Sequence, residues 1–134
     1  MKPKKFIFII LLMLICNAVE AQHTLSMVNG IVSDTLKAGK RSFIIKPDYS
    51  YDFNFTISAK TVSGIDTLTV QTVDRDTSHY SARALIDLST GAPVNQLIAT
   101  TTRKEYLIYD PLTLKMKIAS AHALVQTLFT VSRK

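Results

Sequence analysis

The chain has 134 residues, of which 47% are hydrophobic and 19% are charged, so it is long enough for one domain with a hydrophobic core. The formal net charge is +6 at pH 7, and the single cysteine, Cys16, excludes an intramolecular disulfide. The stability of the fold must therefore come from packing and hydrogen bonds.

The N-terminal segment 1–21 has the pattern of a secretory signal peptide. Lys2, Lys4 and Lys5 form a positive segment, and an uncharged apolar run follows from Phe6 to Cys16. Small side chains then lead to a cleavage position after Ala21. We therefore expect residues 1–21 to be removed and the protein to be exported, to the periplasm, the cell surface or the extracellular space.

Two other interpretations of this segment fit less well. A retained membrane anchor would need roughly 20 apolar residues, whereas Asn17 and Glu20 end the run early. A lipid-carrying cysteine of a bacterial lipoprotein follows a small residue, whereas Ile15 precedes Cys16. Cleavage would remove three of the 16 basic residues and one of the ten acidic ones, so the net charge would fall from +6 to +4. The product, residues 22–134, would have no cysteine and no integral membrane span.

The first part of the remaining chain carries two segments with strand character. Between Gln22 and Val32, Leu25 and Met27 alternate with polar residues, which is the weaker of the two patterns. Arg41–Lys46 reads as a short strand that ends before Pro47, because proline cannot donate to a β-ladder.

The clearest alternation of apolar and polar residues lies between Tyr51 and Val73. It runs from Tyr51 to Ile57 and resumes at Leu68 and Val70. Successive side chains of a strand point to opposite faces, so each half has one apolar face. The short link that contains Gly64 predicts an antiparallel hairpin.

The second half of the chain continues with short strand-like segments. Tyr80–Leu88 alternates again, with Leu85 as an apolar exception on the polar face. The further predicted strands are Val94–Thr102, Tyr106–Tyr109, Leu112–Ile118 with Leu114, Met116 and Ile118 inward, and Ala121–Val131. A helix over Ser120–Leu128 is the alternative for the last of these.

These patterns together predict the fold class. No segment keeps the spacing of a surface helix over three turns. Several short strands separated by Gly- and Pro-containing links indicate an all-β domain. We expect residues 22–134 to form a single antiparallel β-sandwich, Ig-like or jelly-roll-like, of about eight strands.

The residues that could carry catalysis or bind metal show no recognisable arrangement. His23, His79 and His122 are far apart and read as surface or loop residues, and the loop Asp74–Asp76 has fewer ligands than a recognisable calcium loop. No Gly-x-Ser-x-Gly motif marks a nucleophile, although a triad can be assembled from distant segments. We predict a protein that is not an enzyme and uses no metal or cofactor, with a small secreted enzyme as the alternative.

A binding surface is the expected functional feature. Tyr49, Tyr51, His79 and Tyr80 are the candidate residues, with an unidentified protein or glycan as the ligand. In the alternative interpretation, Tyr51 and Tyr80 belong to the core and expose only their hydroxyl groups. Nucleic acid is not expected, because the basic residues are dispersed and the protein is exported. Self-association through exposed strand edges stays open.

The segment from Tyr51 onward resembles small β-sandwich proteins of bacteriophage virions. The matching features are the alternating strand Tyr51–Ile57, the turn Ser63–Ile65, the strand Leu68–Gln71, the loop Asp74–Thr77, Tyr80, the run Tyr106–Tyr109 and a closing strand that ends at Lys134. The resemblance implies a β-sandwich and an alternative role as a virion or cell-surface assembly subunit. The signal peptide departs from it, because virion proteins assembled in the cytoplasm need no export signal.

Overall fold

The computed structural model describes residues 22–48, 54–74, 79–109, 113–122 and 124–134. The predicted signal peptide, Tyr49 and Tyr51 lie outside these ranges. The described residues contain no helix, so the helical alternative for Ser120–Leu128 is wrong. Within the same ranges, no helix is long and apolar enough to cross a bilayer.

The described residues form twelve strands. They are β1 (His23–Ser26), β2 (Ile31–Leu36), β3 (Ser42–Lys46), β4 (Asn54–Thr61), β5 (Asp66–Asp74), β6 (Ser81–Ala82), β7 (Leu85–Asp87), β8 (Pro93–Val94), β9 (Leu97–Ala99), β10 (Lys104–Tyr109), β11 (Thr113–Ser120) and β12 (Thr127–Arg133). The prediction of about eight strands was therefore too low. The additional strands are mostly pieces of two or three residues at sheet edges, too short to produce an alternation pattern.

The strands form two six-stranded sheets. Sheet A has the order β1-β3-β11-β5-β6, with β9 also paired to β5, and sheet B has the order β2-β12-β4-β10-β7-β8. Every pair is antiparallel except β1 with β3, which is parallel. The described residues form an all-β, two-layer sandwich, as the sequence predicted, although sheet A is mixed because of its parallel β1–β3 pair.

The predicted hairpin between β4 and β5 is wrong. β4 pairs with β10 and β12 in sheet B, whereas β5 pairs with β11, β6 and β9 in sheet A. The link 62–65 therefore crosses from one layer to the other. Alternation fixes which face of a strand is buried but not which strand lies beside it, so both arrangements satisfy the same pattern.

The core lies between the two sheets. Its largest fully buried side chains include Phe43 from sheet A and Phe129 from sheet B, whose ring centroids are 5.3 Å apart. The predicted inward residues Met116 and Ile118 are completely buried. Burial of one such side chain contributes about 1.5–3 kcal/mol to stability, so the packed layers can hold without a disulfide.

The segment Tyr80–Leu88 has the opposite phase to the predicted one. It is broken into β6 and β7, and Leu85, which the pattern placed on the polar face, is fully buried. Asp87 is also buried, whereas Leu88 is exposed. Residues 83–84 separate the two strands, and the phase is the same in both, because Ser81 pairs with the buried Thr72 and Leu85 is itself buried.

Candidate functional site

The outer face of sheet B carries a set of aligned hydroxyl groups. Ser33, Thr130 and Ser58 are directly paired across β2, β12 and β4, and Ser132 pairs with Thr56 in the adjacent row. Paired residues share a face, and their neighbours in sequence, such as Ile57 and Phe129, enter the core. Ser33 Oγ and Thr130 Oγ1 are 2.8 Å apart and hydrogen-bonded. We call these five residues the hydroxyl face.

A groove lies beside this face at one end of sheet B. Its volume is about 440 Å³, and it is lined by Leu88, Ser89, Thr102, Arg103, Lys104 and Glu105. Glu105 pairs directly with Ser58 of the hydroxyl face. The groove and the hydroxyl face are therefore parts of one continuous surface.

Arg103 connects the two parts of this surface. Its Nη1 donates to Ser58 Oγ at 2.8 Å, while the residue as a whole is exposed. Ser58 itself is buried beneath this contact. A guanidinium group has five N–H donors in a planar fork, so one hydrogen bond orients it without using its capacity to bind an anion.

The wall of the groove that contains Leu88 and Ser89 is fixed by Asp87. Asp87 Oδ1 accepts hydrogen bonds from the Ser89 backbone N–H at 2.8 Å and from Ser89 Oγ at 2.6 Å. The Gly91 N–H donates to the Asp87 carbonyl at 2.7 Å and closes the turn. The Ser89 hydroxyl lowers the pKa of Asp87, and the Ser89 N–H and the charge of Lys104 act in the same direction. The carboxylate therefore stays ionised and holds the turn.

A second polar cluster is buried. Asp66 accepts hydrogen bonds from Ser120 Oγ at 2.7 and 2.9 Å and from Thr127 Oγ1 at 2.6 Å. The three residues belong to β5, β11 and β12, so the cluster joins the two sheets at one end of the sandwich. It combines a carboxylate with hydroxyl groups, but its residues are shielded from solvent and their hydroxyl protons are directed to Asp66. We interpret it as a structural clasp.

Of the four predicted site residues, His79 and Tyr80 lie in the described ranges. His79 is exposed, and the partly buried ring of Tyr80 has the Lys117 Nζ 5.9 Å from its centroid. Lys117 lies on the outer face of sheet A, because it pairs with Ile44 and its neighbours Met116 and Ile118 are in the core. Tyr80 therefore belongs to the outer face and is not a core residue. This places His79 and Tyr80 on the opposite layer from the groove.

The three histidines do not converge. His23 lies in β1, where its ring centroid is 5.7 Å from that of Phe43, so it is not a loop residue as predicted. His122 is exposed, and its two hydrogen bonds with Ser120 use the His122 backbone N–H and carbonyl. In the part of the chain that the structure describes, no group of three His, Cys, Asp or Glu residues could hold a metal ion.

The groove was not predicted from the sequence. Arg103 and Lys104 lay between the predicted strands Val94–Thr102 and Tyr106–Tyr109, and Ser58 followed the alternating segment Tyr51–Ile57. Arg103 and Ser58 are 45 residues apart in sequence, and nothing in either segment signals that they meet. The one available signal was the number of Ser and Thr residues at the outward positions of β4 and β12.

The fold and these surfaces define an all-β, two-sheet sandwich protein with an open polar surface on one layer. No protein-family model matches the chain, and no curated protein matches its sequence. Among solved structures, the chain is similar to the SPBc2 prophage-derived protein YomS, with 10% identity over 81% of this chain and 96% of that chain and a TM-score of 0.56. This likeness confirms a fold shared with a phage-derived protein, which is the level at which the sequence resemblance was stated.

Two weaker similarities involve other β-sandwich structures. One is the pre-peptidase C-terminal domain of a collagenase from Bacillus anthracis, with 16% identity over 88% of this chain and 99% of that chain and a TM-score of 0.44. The other is CBM29-2, a family 29 carbohydrate-binding module, with 10% identity over 79% of this chain and 67% of that chain and a TM-score of 0.47.

Proposed function

We propose that residues 22–134 form an exported, non-enzymatic binding protein whose ligand is a glycan that carries carboxylate groups. The ligand occupies the groove beside Arg103 and extends over the hydroxyl face of sheet B. The observation that carries this proposal is the exposed residue Arg103, whose guanidinium is oriented by its hydrogen bond to the buried Ser58.

The chemistry of the surface selects this class of ligand. Serine and threonine hydroxyls both donate and accept hydrogen bonds, so a row of them complements the hydroxyl groups of a sugar chain. The guanidinium fork of Arg103 matches a carboxylate in a bidentate geometry. Exposed Leu88 supplies an apolar contact within the otherwise polar groove.

The buried polar groups support a role without catalysis. The carboxylate of Asp66 is hydrogen-bonded to Ser120 and Thr127, and that of Asp87 holds the turn at Ser89. Both carboxylates are thus committed to positioning the backbone. A general base needs a carboxylate or imidazole within reach of a bound substrate. Neither buried group offers this, and Glu105 is the single carboxylate among the residues that line the groove.

Export is supported by the pattern of residues 1–21. N-terminal sequencing of the protein recovered from cell fractions tests this part of the proposal. We expect the exported form to begin at Gln22. Recovery of the uncleaved chain in the cytoplasm would contradict it.

Isothermal titration calorimetry with two sugar probes tests the binding site. We expect oligogalacturonate to bind and a neutral cello-oligosaccharide of equal length to bind at least tenfold more weakly. Arg103→Ala should abolish this difference, and Arg103→Lys should restore it only in part, because lysine lacks the fork. The matched control is Lys46→Ala, which removes an exposed positive charge from sheet A.

Three results would contradict this site. The first is equal affinity for the charged and neutral probes, and the second is no affinity for either. The third is an Arg103→Ala protein that binds oligogalacturonate as tightly as the wild type.

A second candidate function is that of an assembly subunit, which edge strand β2 would support. β2 is the terminal strand of sheet B, and Ile31 at its start is exposed. An uncovered edge strand can pair with another chain. However, Asp34 Oδ1 accepts the Thr35 N–H at 2.6 Å, which occupies one backbone donor of this strand. A mass measurement as a function of concentration separates the two functions, because the assembly role requires oligomers.

A further inference from the structure

One end of the sandwich exposes apolar side chains that the core does not use. Val62 and Ile65 lie in the link between β4 and β5, and Leu124 lies in the link between β11 and β12. Their exposed fractions are 60%, 61% and 93%. We call these three residues the apolar tip.

The two links that carry the apolar tip are in contact with each other. The Val62 N–H donates to the Gln126 carbonyl at 3.0 Å. A Cβ atom built on Gly64 would lie 4.0 Å from Val125 Cγ2. The three apolar side chains therefore project from one continuous surface.

The apolar tip is held in place from below. Thr61 Oγ1 donates to the Gly64 carbonyl at 2.7 Å, which closes the first link. Directly beneath, the buried clasp ties the beginnings of β5 and β12 together through Asp66 and Thr127. Side chains that stay exposed on such a fixed platform indicate a surface that meets a partner.

The charged residues in the segments that surround the apolar tip are all basic. Leu36, Thr127 and Thr61 are aligned across β2, β12 and β4, so the segment 37–41 follows at the same end as the two links. That segment contains Lys37, Lys40 and Arg41. Lys60 lies near the end of β4, two residues before Val62. Lys37 and Lys60 are exposed, and the segments 37–41, 60–65 and 121–126 contain no acidic residue.

From this combination we propose that this end of the sandwich docks on an anionic phospholipid surface. Val62, Ile65 and Leu124 enter the interfacial region, and Lys37 and Lys60 lie at the level of the headgroup phosphates. Charge complementarity selects an anionic surface, because basic residues near a membrane are attracted by acidic lipids. Separate apolar side chains at loop tips suit a lipid interface, which can accommodate each of them independently.

The absence of tryptophan from the chain provides a local probe for this docking. Leu124→Trp in the full chain places a single tryptophan at the apolar tip. Val28→Trp is the matched control, because Val28 is 66% exposed in the turn before β2, at the opposite end of the sandwich. The apolar segment 1–21 is common to both variants, so any binding through it does not distinguish them.

The measurement is the tryptophan emission maximum during titration with lipid vesicles. With vesicles of mixed phosphatidylglycerol and phosphatidylcholine, we expect a blue shift for Leu124→Trp and none for Val28→Trp. Pure phosphatidylcholine vesicles should give a much smaller shift. Adding Lys37→Glu to Leu124→Trp should raise the lipid concentration needed by about fivefold or more, whereas Lys46→Glu, at the opposite end of β3, should not.

Three outcomes would overturn the proposal. One is an unchanged Leu124→Trp emission on anionic vesicles, and another is an equal shift in Val28→Trp. The third is a Leu124→Trp shift that depends on protein concentration without lipid, which would assign the apolar tip to a second copy of the chain. None of these results bears on glycan binding at Arg103, so the two proposals are tested separately.

Discussion

Thr127 Oγ1 donates to Asp66 Oδ2 at 2.6 Å, and this hydrogen bond joins the two sheets of the sandwich. Asp66 begins β5 in sheet A, and Thr127 begins β12 in sheet B. Both residues are completely buried. The bond therefore fixes the two layers to each other at the end that carries the apolar tip.

Replacement of Asp66 should strongly destabilise the fold. Asp66→Ala would leave the buried Ser120 and Thr127 hydroxyls without their acceptor and would lower the free energy of unfolding by about 2–4 kcal/mol. Asp66→Asn keeps the shape and one acceptor oxygen, so its effect should be smaller. Urea unfolding measures both. The control is Asp48→Ala, which removes one hydrogen bond that the Gly30 N–H donates to an exposed carboxylate and should cost less than about 1 kcal/mol. Unchanged stability of Asp66→Ala would show that the clasp does not hold the sheets together.

The turn at Asp87 should make stability depend on acid pH. Its pKa is held below the ordinary value of 3.8, chiefly by the Ser89 hydroxyl. Because the pKa is lower in the folded state, the unfolded chain binds the proton more readily. The contribution of Asp87 to the free energy of unfolding is therefore present above about pH 4 and is lost as the pH falls through the folded-state pKa. Asp87→Asn should therefore lose less stability than the wild type between pH 6 and pH 2, as measured by urea unfolding. Ser89→Ala should raise the Asp87 pKa in a carboxyl NMR titration, and an unshifted value would contradict this account.

Tyr106 should produce the opposite dependence at alkaline pH. Burial raises the pKa of its phenol, which donates to the Ile98 carbonyl at 3.1 Å. The contribution of the phenol to the free energy of unfolding is complete below the ordinary pKa of about 10. It is lost as the pH rises through the higher pKa of the folded state. Tyr106→Phe should cost about 1–2 kcal/mol at pH 7 and should weaken the alkaline fall in stability. An ultraviolet absorbance titration of both proteins identifies the late-titrating phenol, and its presence in Tyr106→Phe would refute the assignment.

Two glycines should differ in their tolerance of alanine. Gly30 and Gly39 both have a positive φ, +77° and +78°, which is unfavourable for residues with a Cβ. At Gly39 nothing lies within 4 Å of an added Cβ, so Gly39→Ala should cost only the conformational term of about 1–2 kcal/mol. At Gly30 the added Cβ would lie 3.3 Å from Arg133 Cβ, so Gly30→Ala should cost measurably more. Thermal or urea unfolding compares the two variants. Equal losses of stability would show that the Arg133 side chain moves away from the added Cβ without destabilising the fold.

Part of the fold follows from local patterns in the sequence. In β11, Met116 and Ile118 alternate with Lys115 and Lys117, and the buried face is the one predicted. The alternation predicts the buried face correctly because each strand of a two-layer sandwich has one face that packs in the core. It failed at Leu85, because an alternating pattern fits with either set of residues turned inward, and the set that faces the core is the one that contains Leu85 and Asp87.

The candidate site depended on contacts that no local pattern encodes. Arg103 reaches Ser58 across a strand pair, and Leu88 lines the groove with Glu105 because their backbones are hydrogen-bonded. The apolar tip also depends on tertiary contacts, because Val62 and Leu124 lie in links that are far apart in the chain. Each of these residues is unremarkable in its own segment.

The sequence by itself determined an all-β domain with a dry face on each long strand, because side-chain alternation is a property of single strands. Only the tertiary structure decided that β4 and β5 face each other across the core instead of pairing as a hairpin. That choice depends on which strand edges form hydrogen bonds, and backbone donors and acceptors are the same for every residue except proline. The surfaces that we propose for glycan and lipid are consequences of this pairing.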